Sequence, residues 1–423
     1  MSVTPTTITE LNDIAKDYYS NYLGPQMAKG TPLKAQFDQL ENWEMVGGRN
    51  NVIFSMKLET GGGVGNAGAN KSLPANADGV YDQATVSLKR TYARMAIDMF
   101  AAEVSKSKKG SYKPFLEEKM DDRMQALNKD CNRQLFGAGD GKLAITGSGG
   151  AGSTQTLSLA FGVTNGGNPG KFVYKGDQLA FYDNVGAAIG TRTVTAKSAT
   201  KGSATATVTL NSTITSVTNG WVAKATADTD NYAEGEVAGL LAGFAQSSTF
   251  QGVPIGSTYQ ATVLDNSGTL RDITDGLVGS LFTTIQTDTD ELPNLVVTRP
   301  GIVHKYSEIF LPIRRIQGQE TQLKGGFKPM GVVQHASGEA PILADADCPG
   351  GRFFALNTGY IKKLDLIDSE WASFDGAEVA RVDSKDAAEA YLRKYWQMAW
   401  LRLNVHGMIA DINDVSTADR LYS

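Results

Sequence analysis

A glycine-rich segment, Gly63-Val64-Gly65-Asn66-Ala67-Gly68, has the spacing G-x-G-x-x-G and follows a strand-like run. In dinucleotide-binding proteins this spacing brings a pyrophosphate close to the backbone, where a helix opens at the last glycine. Here the chain continues as Ala69-Asn70-Lys71-Ser72-Leu73-Pro74, which does not have a helical pattern. A P-loop is not indicated either, because glycine is missing before the lysine. We therefore interpret the glycines as the tip of a flexible arm and expect no nucleotide cofactor.

The histidines and acidic pairs do not have the spacing of a metal site. His304, His335 and His406 each lack a second histidine or a cysteine at ligand spacing. The run Asp345-Ala346-Asp347 could offer oxygen ligands to Ca²⁺, but the spaced oxygens and the glycine of a calcium loop are absent. A turn before Pro349-Gly350 is the favoured interpretation. We expect no metal ion and no cofactor.

Catalytic chemistry has weak support. Asp365, Asp368 and Glu370 form a carboxylate cluster, but such pairs are common on solvated loops. The sequence holds no G-x-S-x-G nucleophile elbow. Basic residues at 106, 108 and 109 could contact an acidic neighbour or DNA, although a solvated loop is favoured. The sequence therefore predicts that the protein is not an enzyme.

Bulk properties describe a folded, weakly acidic chain. Its 423 residues exceed the size at which a single core usually stops growing, so we expect two or three lobes. The net charge of −5 argues against nucleic-acid binding as the main role. No apolar run reaches the length of a membrane helix, and Met1–Pro5 lacks a secretory signal pattern. Cys131 lies on a helical stripe, which favours a buried free thiol and folding in a reducing cytoplasm.

Two alternating runs predict a long β-arm. Val52, Phe54, Met56 and Leu58 share one face of the first run, and Ala84, Val86 and Leu88 share one face of the second. The connection between them is too long and too polar at its end for a tight hairpin. Because a two-stranded ribbon is marginal alone in water, the arm needs a neighbour to lie on, which indicates a partner and an assembly.

The strongest helix is expected from Pro114 to Phe136, with Gly137 as its stop. It would be roughly 33 Å long. A core helix of an ordinary domain fits this pattern equally well. The residues of its apolar stripe are Leu116, Met120, Met124, Leu127, Cys131 and Leu135. Those from Met120 onward are the predicted structural core.

The segments around this helix differ in character. Residues 141–230 contain sixteen threonines and eleven charged residues, and short strand-like runs there predict an inserted sandwich or barrel. Mixed α/β structure follows from Glu234. Further expectations are helices over 8–22 and from Pro32, a helix over Leu270–Ile285, a strand over Leu295–Val297, a helix over Pro300–Phe310 and a half-buried strand over Leu401–Val405. Ala387–Trp400 stays ambiguous between helix and strand.

This order of parts resembles the major capsid proteins of tailed bacteriophages, which have the Hong Kong ninety-seven fold. Four stretches of the second half carry the same likeness: Leu295–Pro300, Ala340–Asp345, Phe353–Asn357 and Trp371–Gly376. The resemblance implies an α+β fold with an extended β-arm (the E-loop), a long spine helix, an axial α/β domain and an inserted all-β domain. Its implied domains are an N-terminal arm (1–49), the E-loop (50–95), a peripheral domain (96–139, completed by 381–423), the β-insert (140–233) and the axial domain (234–380).

The resemblance also implies a role and partners. The subunit would form hexamers and pentamers in an icosahedral virion shell that encloses double-stranded DNA, assembled in the bacterial cytoplasm without a membrane. A separate scaffolding protein, a portal and a decoration protein are the expected partners. Alternatives are an encapsulin-like compartment for a cargo enzyme, and an enzyme or carbohydrate-binding protein with a β-module. The expected inter-subunit contacts are Leu11, Tyr18, Val52, Phe54, Met56, Leu58, Lys71 and Val86; some members of the family cross-link a lysine placed like Lys71.

Overall fold

The computed structural model describes residues 31–41, 43, 51–69, 71–101, 115–146, 152–159, 170–198, 205–214, 220–225, 236–256, 259–309, 332–335, 338–373, 380–382 and 385–414. The helix expected over residues 8–22, with Leu11 and Tyr18, lies outside this part, and so do the lysines at 106, 108 and 109. Within the described ranges, no helix is long and apolar enough to cross a membrane.

The described helices are α1 (Phe115–Phe136), α2 (Leu240–Gly243), α3 (Asp275–Thr289) and α4 (Pro300–Ile309). The strands of the first half are β1 (Asp38–Gln39), β2 (Asn51–Glu59), β3 (Val80–Ser87), β4 (Lys89–Asp98), β5 (Ala144–Thr146), β6 (Gly152–Leu159), β7 (Gln178–Tyr182), β8 (Ala188–Ser198), β9 (Thr205–Ile214) and β10 (Trp221–Lys224). Those of the second half are β11 (Thr249–Phe250), β12 (Val253–Pro254), β13 (Thr262–Leu264), β14 (Leu295–Thr298), β15 (Val332–His335), β16 (Gly338–Ala344), β17 (Phe353–Leu356), β18 (Ile361–Trp371), β19 (Ala380–Arg381), β20 (Ala387–Trp400) and β21 (Gly407–Ile409).

The chain divides into two compact units. Unit 1 comprises residues 1–35, 89–237 and 365–396, and unit 2 comprises residues 36–88, 238–364 and 397–423. The five domains that the resemblance implies are a finer division than these two units and stay a prediction. The arm ladder ends at Ser87, because the next strand, β4, belongs to unit 1 and pairs there with β20. The C-terminal segment expected to complete the peripheral domain is divided after Trp396, and β21 joins the sheet of unit 2.

Unit 1 contains the long helix that the sequence predicts. Leu127, Cys131 and Leu135 of α1 are buried, whereas Met120 and Met124 are half-buried. Met120 packs against an apolar cluster that includes Met95 of β4. Beyond Leu127 the helix is buried on its polar side as well, because Asn132 and its neighbours Arg133 and Gln134 are almost inaccessible to solvent.

The insert in unit 1 is a closed barrel. Its strands follow the order β10-β5-β6-β9-β8-β7, which removes every free strand edge. Alternate residues face inward and form an apolar core around Leu157, Phe181 and Val208, while threonines such as Thr207 lie outward. The small all-β insert expected from the sequence is therefore confirmed, as a barrel and not a sandwich.

Unit 2 is built on a mixed six-stranded sheet in the order β13-β21-β17-β14-β16-β15. Helices α3 and α4 contribute to its core, where Ile285 and Ile302 pack with Val296, Phe353 and Ile409. The strand over Leu295–Thr298 and the helix from Pro300 agree with the sequence patterns.

Three local predictions need correction. The residues after Pro32 form a turn and then β1, which pairs with Lys362 and Lys363 of β18, and no helix. Helix α3 begins at Asp275 because the hydroxyl of Thr274 accepts a hydrogen bond from the N–H of Leu277. The expected strand over Leu401–Val405 is a turn.

Candidate assembly surface

The β-arm of unit 2 is a regular antiparallel ladder. Asn51 pairs with Ser87, and the register continues to Lys57 opposite Tyr81, with a bulge between Lys57 and Glu59. Burial alternates along β2 with the period of two that the sequence shows. The arm therefore has one face toward its own unit and one face toward solvent.

The base of the arm is fixed to its own unit. Val52 and Val86 are only 1% and 3% exposed and pack with Leu88, Leu364 and Ala399. Side chains buried in this way have no surface left for another molecule. We therefore withdraw Val52 and Val86 as expected contacts with a second copy and assign them to anchoring the arm.

The remaining predicted positions of β2 lie farther out. Phe54 is partly buried against the anchoring cluster, and Met56 and Leu58 are half-buried. Met56 and Leu58 line a cavity of about 410 Å³ within unit 2. In the wall of this cavity the hydroxyl of Tyr259 donates a hydrogen bond to the carboxylate of Glu59 over 2.7 Å. The cavity is lined by Met56–Thr60, Ile255, Tyr259, Asp288 and Leu401–Asn404.

The tip of the arm exposes apolar side chains. Val64 and Leu73 are 98% and 83% exposed. Lys71 is also exposed, and its N–H donates to the carbonyl of Gly68 over 3.2 Å, which closes a turn at the end of the arm. Apolar side chains at the end of a projection are typical of a surface that contacts another protein.

The glycines of the tip are required by close packing. A Cβ on Gly61 would lie 2.5 Å from the carbonyl oxygen of Ala77 and 2.9 Å from the amide nitrogen of Gly79. Gly63 has a φ of +84°, a conformation that favours glycine. The outgoing and returning segments of the arm thus stay in contact beyond the ladder. The glycine-rich segment connects β2 and β3, so its place in an arm tip agrees with the sequence, and Gly61 and Gly63 also satisfy close packing there.

A buried charge network lies at the end of α1 in unit 1. Asp130 accepts from Arg133 and from Lys224 of β10, each over 3.0 Å, and Arg133 also binds Glu236 over 2.5 Å. Burial alone would raise the pKa of Asp130, but Arg133 and Lys224 hold it well below its usual range. The network joins the inserted barrel to the helix, and the sequence stripe did not indicate it.

The carboxylate cluster of β18 also has structural partners in unit 1. The ammonium group of Lys394, which is fully buried, lies 2.9 Å from Asp365 and 2.5 Å from Asp368. Glu370 binds Arg393 over 2.5 Å. Contrary to the expectation of a solvated loop, these carboxylates lie on a strand and neutralise basic residues of β20.

Asp345 and Asp347 form the turn that the sequence predicts. The N–H of Asp347 donates to the carboxylate of Asp345 over 2.8 Å. Among the described residues, no group of three or more histidine, cysteine or acidic side chains could hold a metal ion.

Both cysteines are free and buried, as predicted for Cys131. Burial raises the pKa of the Cys131 thiol to about 12, and it also raises that of Cys348. Both thiols therefore stay protonated and unreactive at neutral pH.

The architecture described above defines a class of subunit: a two-unit α+β chain with a projecting β-arm, a long helix and an inserted barrel. No protein-family model matches the sequence, and no curated protein sequence matches it. Among solved structures, the capsid asymmetric unit of cyanophage A-1(L) is similar over 94% of this chain and 97% of that chain, with 11% identity and a TM-score of 0.53. The chain therefore has the fold of phage major capsid proteins, the Hong Kong ninety-seven fold.

Two further similarities have lower scores. The capsid of a native GTA particle is 9% identical over 97% of this chain and 99% of that chain, with a TM-score of 0.48. The SrpI encapsulin complex from Synechococcus elongatus PCC 7942 is 6% identical over 97% of each chain, with a TM-score of 0.45. The assignment of the fold rests on the cyanophage capsid alone.

Proposed function

We propose that this chain is the major capsid protein of a tailed double-stranded DNA phage and assembles with itself into the icosahedral head. The observation that carries the proposal is the β-arm, which is anchored through Val52 and Val86 while Val64 and Leu73 at its tip have no apolar cover in the described residues. The fold shared with the cyanophage capsid supports the same role.

An anchored base and a projecting tip suit a shell. Each copy of a shell protein meets its neighbours at slightly different angles around five-fold and six-fold positions, so a contact made through an arm tolerates this variation. A contact between unlike surfaces generates rings when the rotation closes. In this proposal the tip residues Val64, Lys71 and Leu73, together with Phe54, Met56 and Leu58 of β2, contact a second copy. Leu11 and Tyr18 remain proposed contacts from the N-terminal segment.

The role is structural and involves no catalysis. Its acidic clusters support this, because Asp130, Asp365 and Glu370 are all bound to basic side chains of the same unit. The proposed partners are other copies of the chain in hexamers and pentamers, a separate scaffolding protein, a portal and a decoration protein. The shell encloses double-stranded DNA without reading its sequence, and it assembles in the bacterial cytoplasm before forming part of the virion.

Expression of the full chain together with the scaffolding protein encoded beside its gene tests this function. We expect closed, uniform shells in negative-stain electron micrographs. Only small, discrete oligomers across a range of salt concentrations and scaffold ratios would contradict the proposal. A neighbouring portal and terminase, and particles without a co-purifying enzyme, would distinguish a phage head from an encapsulin-like compartment.

A further inference from the structure

The cavity of about 410 Å³ in unit 2 has apolar walls. On the side of the arm they are formed by Met56 and Leu58, which are half-buried. The rest of the unit contributes Ile255 and Leu403, which are almost inaccessible to solvent, and Leu401, which is half-buried. The volume lies within the range of about 300–1,000 Å³ that is usual for small-molecule sites, which are mostly apolar and carry a few polar groups.

Two carboxylates at this cavity have acceptor positions to spare. Glu59 accepts the hydroxyl of Tyr259 through Oε1, and its Oε2 makes no hydrogen bond or ion pair with any residue that the structure describes. Asp288 is exposed and has neither kind of contact within the described ranges. Because an ionised carboxylate can accept about four hydrogen bonds, both groups can bind an added donor.

The end of helix α3 adds to the negative potential of the cavity. Asp288 belongs to the last turn of this helix, which contains no basic residue. The carbonyl groups at the C-terminus of a helix carry a partial negative charge and favour a cation nearby. A positively charged ligand is therefore favoured here by the helix as well as by the two carboxylates.

The two basic residues that line the cavity have other partners. The guanidinium group of Arg402 donates to Asn404 over 2.9 Å and to the carbonyl of Thr289 over 3.3 Å. The ammonium group of Lys57 lies over the ring of Tyr81 on the neighbouring strand, 5.9 Å from its centre. The groups that remain to be neutralised are therefore the two carboxylates and the end of the helix.

We propose that this cavity binds a short aliphatic diamine. Its ammonium groups bind Glu59 and Asp288, and its methylene chain packs against the apolar walls formed by Met56, Leu58 and Leu403. A metal ion would use the carboxylates but gain nothing from these walls, and the described residues offer no group of three or more histidine, cysteine or acidic side chains that could hold one. The site lies within one chain, so the inference goes beyond the proposed function and does not depend on shell formation.

Isothermal titration calorimetry of the purified full chain tests the site. We expect 1,5-diaminopentane to bind saturably, with one molecule per chain. Ethylenediamine, which has three fewer methylene groups to bury, should bind about tenfold more weakly at the same ionic strength. Absence of saturable binding would overturn the inference, and so would equal affinity for the two diamines. Magnesium chloride that binds as tightly as 1,5-diaminopentane would also overturn it, because the site would then recognise charge alone.

Substitutions locate the binding site. Glu59→Gln and Asp288→Asn should each weaken the binding of 1,5-diaminopentane about tenfold, since each removes a charge-assisted hydrogen bond. Asp78→Asn makes the same change of charge at an exposed position of the arm that does not line the cavity, and this control should bind like the wild type. Leu58→Ser should reduce the preference for the longer diamine.

Far-UV circular dichroism of each variant confirms that the chain is folded before the titration. Equal weakening in Asp78→Asn and Glu59→Gln would overturn the inference, because the loss would then reflect the net charge of the chain. Unchanged binding in both Glu59→Gln and Asp288→Asn would place the diamine elsewhere and overturn it as well. A chain that binds the diamine but forms no shells would contradict only the proposed function.

Discussion

Lys224, the last residue of barrel strand β10, and Asp130 of helix α1 form an ion pair with an Nζ–Oδ1 distance of 3.0 Å. Arg133 lies on the other side of the same carboxylate and continues the network to Glu236. The inserted barrel is therefore held to the long helix by charges that are largely shielded from water. The barrel strand and the helix are thus joined within unit 1 by side-chain contacts as well as by the chain itself.

Removal of the central carboxylate should destabilise the subunit. Asp130→Ala leaves Arg133 and Lys224 without their shared partner, and breaking a buried pair costs about 3 kcal/mol. Asp140→Ala is the control, because its ion pair with Lys142 is exposed and is worth less than about 1 kcal/mol. Urea unfolding of both variants measures the difference. Equal losses of free energy would show that the network does not stabilise the unit.

Acid should weaken unit 2 through His406. Burial lowers the pKa of His406 to about 3, and its Nδ1 accepts a hydrogen bond from the N–H of Asn357. The unfolded histidine binds a proton below about pH 6.5, whereas the folded one does not, so stability is complete above that pH and falls as pH decreases toward 3. At pH 5 the loss is about 2 kcal/mol.

The free energy of unfolding at pH 7.5 and pH 5 measures this effect. His406→Gln should show a smaller difference between the two pH values than the wild type does, and His304→Gln, at an exposed position of α4, should not. An unchanged pH dependence in His406→Gln would exclude the buried imidazole as its source.

The arm tip should be intolerant of a side chain at Gly61. A Cβ there meets the backbone of Ala77 and Gly79, and overpacking of this type costs about 1–3 kcal/mol. We expect Gly61→Ala to open the tip and to make it more sensitive to limited proteolysis. Gly62→Ala is the control, since its Cβ would be 3.4 Å from Ala77 Cβ, an ordinary contact. Identical digestion of the two variants would refute the close-packed tip.

The long helix should not accept a charge on its buried stripe. Leu127 is buried in unit 1, and Leu127→Asp places an unpaired carboxylate there at a cost of several kcal/mol. We expect no soluble subunit, as judged by the soluble fraction after expression. Gln125→Asp, at an exposed position on the same helix, should remain soluble. Soluble Leu127→Asp protein would mean that the stripe is not part of the core.

The type of an element could be predicted from the sequence where its buried residues recur with a single period, two in a strand or 3.6 in a helix. Alternation in β2 and the stripe of α1 each have a single apolar face, so their type and approximate limits were predictable. Strand β20 was ambiguous because its last five residues are all buried, which removes the period of two. Leu401–Val405 alternates but folds as a turn, in which the N–H of His406 donates to the carbonyl of Leu403.

The surfaces were harder to predict, because they depend on which strands become neighbours. Arg90-x-Tyr92-x-Arg94 and Tyr391-x-Arg393-x-Tyr395 are visible as alternating patterns. The two patterns lie on one face of the sheet because β4 pairs with β20 in this register. These strands are about 300 residues apart along the chain, so the pairing is not visible in the local sequence. The same reason applies to Lys394, whose acidic partners lie on another strand.

The β-arm is the part of the chain through which we propose that copies assemble with one another. A tip-shortened variant, in which residues 60–79 are replaced by Asn-Gly, joins Glu59 to Val80 by a tight hairpin turn and keeps the anchored base. Negative-stain electron microscopy of the wild type and this variant, each expressed with the scaffolding protein, is the most direct measurement. We predict closed shells from the wild type and soluble, non-assembling protein from the variant. Closed shells formed with equal yield by both chains would contradict the account.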